Sequence, residues 1–220
     1  MSNFAYISGN PDNLTGGGAA NMVDIQGPLV DLATWLNTDL QPRVAAAVPT
    51  FVTSLPTGAT DGQEIYYQAD ATNGVIWHLR YNAGSASAYK WEFVGGSDIV
   101  SRVETAEGTA STTYVDLATV GPSVTVPLAG DYSIELSAIL EHTTASAFMA
   151  HSVQVGATLA TDNDWQAYHA GVANQMVSGF RWMKKTGLAA STVLTSKYRV
   201  SGATGTARNR GMRVRPIRVG

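Results

Sequence analysis

Leu55–Gly96 reads LPTGATDGQEIYYQADATNGVIWHLRYNAGSASAYKWEFVGG. Val75, Trp77, Leu79 and Tyr81 alternate with Ile76, His78, Arg80 and Asn82. Tyr89, Trp91 and Phe93 alternate with Lys90, Glu92 and Val94. A period of two is the mark of a strand with one packed face. Asp61-Gly62 and Asn73-Gly74 are turn dipeptides, and Gly84-Ser85-Ala86-Ser87 reads as a loop before the last strand. The segment is too small to hold a comfortable core alone, so it must lean on other parts of the chain. Its aromatic residues are then its own packing rather than a binding site.

Working outward, residues 97–220 read as an antiparallel β-sandwich. Tyr132, Ile134, Leu136, Ala138 and Leu140 alternate with Ser133, Glu135 and Ser137 after a Gly130-Asp131 turn. Further strands are expected at 101–107, 114–117, 123–127, 147–155, 176–185, 190–200 and 208–218. Short strands at this spacing indicate a sandwich or jelly roll. Pro216 favours an edge position or a strand end for the last strand. On the other side, residues 21–50 hold the only helical pattern. Pro28 suits a first helical position, and Leu29, Leu32, Leu36 and Leu40 follow at helical spacing until Pro42 interrupts. One short helix is marginal in isolation. Its apolar stripe is expected to associate with copies of itself around an axis, or else to pack on the chain's own β part. Residues 1–20, with Asn-Pro-Asp-Asn and three successive glycines, read as an extended arm. Phe4, Tyr6, Ile7 and Leu14 are its candidate anchors on a partner, with ordering by the sandwich or a neighbouring subunit as the alternative. The expected fold is therefore mainly β, in four regions: arm 1–20, helical segment 21–50, small β module 51–96 and sandwich 97–220.

Composition narrows the function classes. Charged residues make up 14% of the chain and there are no cysteines, against about 25% charged in an average domain. A disulfide framework and a thiolate metal site are thereby excluded. The N-terminus lacks the basic and apolar regions of a secretory signal, and no apolar run approaches the roughly 18–20 residues that span a bilayer. Ten of the fourteen Lys and Arg lie at or after Arg181, and no Asp or Glu follows Asp164. This basic end either meets an anionic partner or pairs with the acidic strands before it. Its cations are interleaved with Gly, Thr and Val rather than with stacking aromatics, so nucleic acid is not expected as a partner.

No nucleophile elbow, Walker A loop, HExxH or EF-hand pattern occurs. His78, His142, His151 and His169 show no metal-ligand spacing. The carboxylates Glu104, Glu107, Asp116, Glu135 and Glu141 have no flanking residues that would raise a pKa for glycoside hydrolysis. Neither an enzymatic activity nor a cofactor or metal is expected. Trp165, Tyr168 and His169 sit in a polar stretch, TDNDWQAYHAG, and form the candidate ligand site: sugars are bound on aromatic platforms flanked by polar groups. The other reading of Trp165 is as a cap on the sandwich core.

Pro56, Asp61-Gly62, Tyr66-Tyr67, Trp77, Tyr81, Trp91 and Gly95-Gly96 resemble a small β module of tailed-bacteriophage fibre and minor tail proteins. The similarity extends more loosely into 112–132. The order of strands in the C-terminal part loosely resembles trimeric jelly rolls of the C1q and tumour-necrosis-factor type. These resemblances imply a homotrimeric virion protein, assembled in the host cytoplasm and carried on the particle surface. In this reading residues 1–20 hold another virion protein and the sandwich meets a host-surface glycan. A head decoration or tail-assembly protein without a ligand, and a lectin-like module, are the competing readings.

Overall fold

The computed structural model describes Leu32, residues 34–40 and residues 50–220. Two compact units are distinguished, 1–49 and 50–220. In the first, Leu32, Thr34 and Trp35 are helical and Leu36–Leu40 forms a wide π-helical turn. Asn37, Thr38 and Asp39 are poor helix formers, and the Thr38 hydroxyl bonds back to the Thr34 carbonyl at 2.7 Å. Leu32, Trp35 and Leu36 are exposed. Phe4, Tyr6, Ile7, Leu14 and Leu29 lie outside the described residues, as does the side chain of Leu40.

The second unit holds thirteen strands among the described residues, in sheets of nine and four. The strands are β1 (Thr50–Val52), β2 (Glu64–Asp70), β3 (Val75–Tyr81), β4 (Trp91–Gly96), β5 (Ile99–Val103), β6 (Glu107–Thr109), β7 (Ser123–Thr125), β8 (Gly130–His142), β9 (Phe148–Val155), β10 (Gln166–His169), β11 (Met176–Leu188), β12 (Val193–Val200) and β13 (Gly205–Val219). The larger sheet runs β1-β2-β3-β4-β13-β8-β11, with β5 and β6 also on β13; the smaller runs β10-β9-β12-β7. From β6 onward the chain crosses repeatedly between the two layers, as in a jelly roll.

The small β module and the sandwich are hydrogen-bonded to each other. β6, β5 and β4 lie end to end along one side of β13, while β8 lies along its other side. Residues 91–109 are thus one long strand broken twice, and the division at residue 97 falls at the first break. Gly96 ends β4 at that break with φ +123°, and a Cβ there would come within 2.2 Å of the Ile76 carbonyl oxygen, so no other residue fits. One apolar cluster joins Ile65, Trp77 and Trp91 to Tyr132, Ile134, Leu136, Met212 and Val214, with Val124, Val153 and Leu194 from the facing sheet. A second cluster, Leu117, Ala138, Leu140, Met149, Tyr198 and Val200, fills the other end.

Several strand assignments differ from the sequence reading. The stretch expected as a strand at 101–107 is split into β5 and β6. Residues 114–117 form only a single bridge, Val115 to Tyr198. β10 lies in the polar stretch TDNDWQAYHAG, where no strand is expected. Pro216 lies neither on an edge nor at a strand end: β13 is central, and the register shifts between Pro216 and Arg218. A bulge is where a central strand tolerates a residue with no N–H to donate.

Polar groups are also enclosed between the layers. The Arg210 guanidinium is fully buried, 2.8 Å from Glu107 Oε2 and over the Tyr198 ring at 5.4 Å. His151 is buried, with Nε2 2.7 Å from Gln166 Oε1 and Nδ1 without a partner among the described residues. Burial disfavours its cation and pushes its pKa from 6.5 down to about 4.

Two outcomes follow from this packing. Trp77→Ala, which empties the join between module and sandwich, should lower unfolding free energy by about 3–5 kcal/mol. Fluorescence and far-ultraviolet dichroism should still report one shared urea transition, because β2–β4 have no core of their own. As pH falls from 6.5 to about 4, the unfolded chain protonates His151 while the folded chain does not. This group should therefore remove up to about 3 kcal/mol of stability over that window. His151→Gln should flatten the decline of the urea midpoint with falling pH; an unchanged slope would refute the assignment.

Candidate functional site

Period-two geometry decides where each candidate side chain goes. On β9 and β12, Met149, His151, Val153, Tyr198 and Val200 are buried between the layers, so Phe148, Gln154, Lys197 and Arg199 take the outer face of the four-stranded sheet. β10 obeys the same alternation. Tyr168 pairs with Met149 and packs against the second core cluster, whereas His169 pairs with Phe148 and is exposed. The candidate residues Trp165, Tyr168 and His169 are therefore not one platform. Trp165 and His169 flank Phe148 on the outer face, at ring-centroid distances of 5.3 and 5.1 Å, and Tyr168 faces the core.

Arg199 is the centre of that outer face. Its guanidinium carbon lies 4.9 Å from the Phe148 centroid, 5.1 Å from Trp165 and 5.4 Å from Tyr114. Nε and Nη2 donate to the two carboxylate oxygens of Asp162 at 3.1 and 2.6 Å. The Tyr114 hydroxyl donates to Asp162 Oδ1 at 2.8 Å. Burial, and then this bond to Asp162, push the Tyr114 phenol well up from its ordinary pKa. A cleft of about 380 Å³ opens beside the group, lined by Thr112–Tyr114, Gln154, Leu159–Asp162 and Arg199. Sequence reasoning found Trp165 here but missed Arg199, because the cage joins β9, β12 and two loops.

The outer face of the larger sheet differs. On β11, Met176, Phe180 and Trp182 are 56%, 70% and 55% exposed and point to the same side. Trp182 Nε1 donates to Ser133 Oγ at 2.6 Å, which ties the ring to β8. Beside it Arg213 lies 2.8 Å from Asp98. β11 is an edge strand, paired on one side with β8. Met183, on the same strand, is buried. Both faces of β11 thus carry apolar side chains, which is why alternation alone did not single out Phe180 and Trp182.

The basic C-terminal end pairs within the chain. Lys185, Lys197, Arg199, Arg208, Arg210, Arg213, Arg215 and Arg218 each reach an Asp or Glu of an earlier element. Glu107 serves Arg210 and also accepts from the Thr119 hydroxyl and N–H; these Thr119 bonds, with Arg210 behind them, hold its carboxyl below the usual range. His142 accepts at Nδ1 from the Thr144 N–H and donates from Nε2 to the Gly202 carbonyl. His78 is bonded to Glu64 at 2.8 Å. Among the described residues no three His, Cys, Asp or Glu converge as a metal would require, and no helix is long and apolar enough to cross a membrane.

No protein-family model matches the chain, and no curated protein matches it. Solved structures give weak likenesses. The structure of Eiger TNF from S. frugiperda is 10% identical, with a TM-score of 0.37, over 56% of this chain and 95% of that one. The structure of infectious bursal disease virus Gx strain is 10% identical, with a TM-score of 0.34, over 75% of this chain and 54% of that one. The VP2 subviral particle of the same virus is 12% identical, with a TM-score of 0.33, over 73% and 41%. The chain spans about half the length of the two viral chains.

Proposed function

We propose that the chain is a non-enzymatic structural protein of a phage particle, a homotrimeric short fibre or spike that displays its sandwich outward and aids attachment to the host surface. The observation that carries the reading is the row Met176, Phe180 and Trp182, left in solvent on the outer face of the larger sheet. Aromatic side chains of this size bury about 150–250 Å² each. A contiguous exposed patch of them is the mark of an interaction surface, and such residues are the usual anchors of protein interfaces. The neighbouring cations Arg213 and Arg215 both reach Asp98, and Arg213 also lies 4.0 Å from Glu135, so two cations face two carboxylates. A second copy docking on this face therefore meets neutralised groups rather than bare ions. The resemblance of residues 55–96 to phage fibre and minor tail proteins supports the particle assignment. Exposed Leu32 and Leu36 are consistent with a helical segment that adds to the same association. Residues 1–20 are the part assigned to hold another virion protein.

Sedimentation equilibrium of the full chain should give three times the 23.2 kDa chain mass. The double variant Phe180→Glu, Trp182→Glu should dissociate to monomer with the wild-type far-ultraviolet dichroism retained, because both side chains already face water in the single chain, and its urea midpoint should fall by the stability that association supplied. A wild-type monomer, or a variant that stays trimeric, would overturn the interface. Deleting residues 1–20 should abolish association with particles while leaving the trimer intact.

A further inference from the structure

We infer that the cleft beside Arg199 binds a neutral hexopyranose unit of a surface polysaccharide. This rests on the attachment part of the function proposed above, and gives it residues and a ligand class. The cleft's volume of about 380 Å³ lies within the range of small-ligand sites, roughly 300–1,000 Å³.

Its lining is divided in the way a sugar ring is divided. Tyr114 and Leu159, the latter 73% exposed, offer carbon surface to a C–H face. Asp162, Arg199, Gln154 and Thr112 offer the polar edge. Asp162 and Arg199 are both planar groups, one an acceptor pair and the other a donor fork. Neighbouring hydroxyls of a pyranose can give to the first and take from the second.

The polar groups also retain unused capacity. Arg199 spends Nε and Nη2 on Asp162, while Nη1 has no hydrogen bond among the described residues and is not buried. Gln154 donates to the Gly156 carbonyl and keeps its own oxygen free of such a bond. Three rings and a two-point ion pair hold the guanidinium in place before any ligand arrives. Little ordering is then left for binding to supply.

Charge selects the neutral ligand. Among the described residues, Asp162 and Arg199 are the only charged ones that line the cleft, and they neutralise each other. A carboxylate or phosphate would gain from Arg199 only by displacing Asp162, and would then sit beside it. An uncharged polyol satisfies both without breaking the pair.

The test is saturation-transfer NMR on the full chain, with the methyl glycosides of glucose, galactose and mannose as probes and methyl glucuronide as the anionic comparison. Transfer to at least one neutral glycoside is expected, with weaker transfer to the glucuronide. Asp162→Ala should weaken binding by about tenfold or more, a loss of about 1.4 kcal/mol. Leu159→Lys, at a side chain that contributes little to packing, should block the cleft to a similar extent with an unchanged urea midpoint. No transfer to any neutral glycoside, tighter binding of the glucuronide, or full binding by the Leu159→Lys variant would each overturn the assignment. Sedimentation of the same sample separates the two claims. A trimer that binds no sugar sinks the cleft alone, whereas a monomer that binds sugar sinks the trimer alone.

Discussion

The hydrogen bonding of β13 is the constraint on which the rest of the second unit depends. This strand has β8 along one side for its whole length and β6, β5 and β4 in succession along the other. Its two irregularities are what make this possible. Near Asn209, whose φ is +50°, the register to β8 shifts, opposite the gap between β5 and β6. Near Pro216 it shifts again, close to the break between β5 and β4. A regular strand would need a regular partner, and residues 91–109 are not one. The bulges let a central strand serve three short neighbours without leaving long runs of backbone groups unpaired.

The same strand explains the charge asymmetry. β13 and β12 supply seven of the chain's fourteen Lys and Arg, and they sit in the middle of their sheets. A central strand is flanked on both sides by elements from earlier in the sequence, where the carboxylates are. Arg208 meets Glu141 of β8, Arg210 meets Glu107 of β6, and Arg218 meets Glu92 of β4. Most of these pairs are partly exposed and contribute little to stability individually. Their effect is on register: a shift by one residue would place Arg213 and Arg215 in the core and Val214 in water. The segregation of charge along the chain is thus a record of strand order rather than a sign of an anionic partner.

What could be read from the sequence was what the period of two determines locally. The alternation at Val75–Tyr81 and at Tyr132–Leu140 placed Trp77 and the β8 core correctly, and most strands of the sandwich were found within a few residues. Long-range partners were not legible. Nothing within residues 51–96 announces that Trp91 will pair with Val219, and nothing in MVSGFRWMKKTGL tells a half-buried strand from an edge with apolar residues on both sides. The candidate site shows the same limit. Trp165, Tyr168 and His169 are neighbours in sequence, but β10 sends Tyr168 inward and His169 outward. Arg199, the residue that organises that surface, lies in a strand whose local pattern reads simply as alternating.

The two outer faces of the sandwich are chemically opposite, and the difference bears on how a trimer would be used. The larger sheet exposes aromatic rings whose polar atoms are tied down, as with Trp182 on Ser133. The smaller sheet ties its rings around a cation and leaves hydrogen-bonding groups facing the cleft. A face of the first kind gains by excluding water over a large area, while a face of the second kind gains by exchanging water for hydroxyls one at a time. In the proposed trimer the first face is consumed and the second remains outermost in every copy. A single sugar contact of this size is weak, because each hydrogen bond replaces one already made to water. Three such clefts on one rigid body raise the effective concentration of the second and third contacts without adding any residue. Weak, dry self-association on one sheet and weak, wet recognition on the other would then combine into firm attachment, although neither suffices alone.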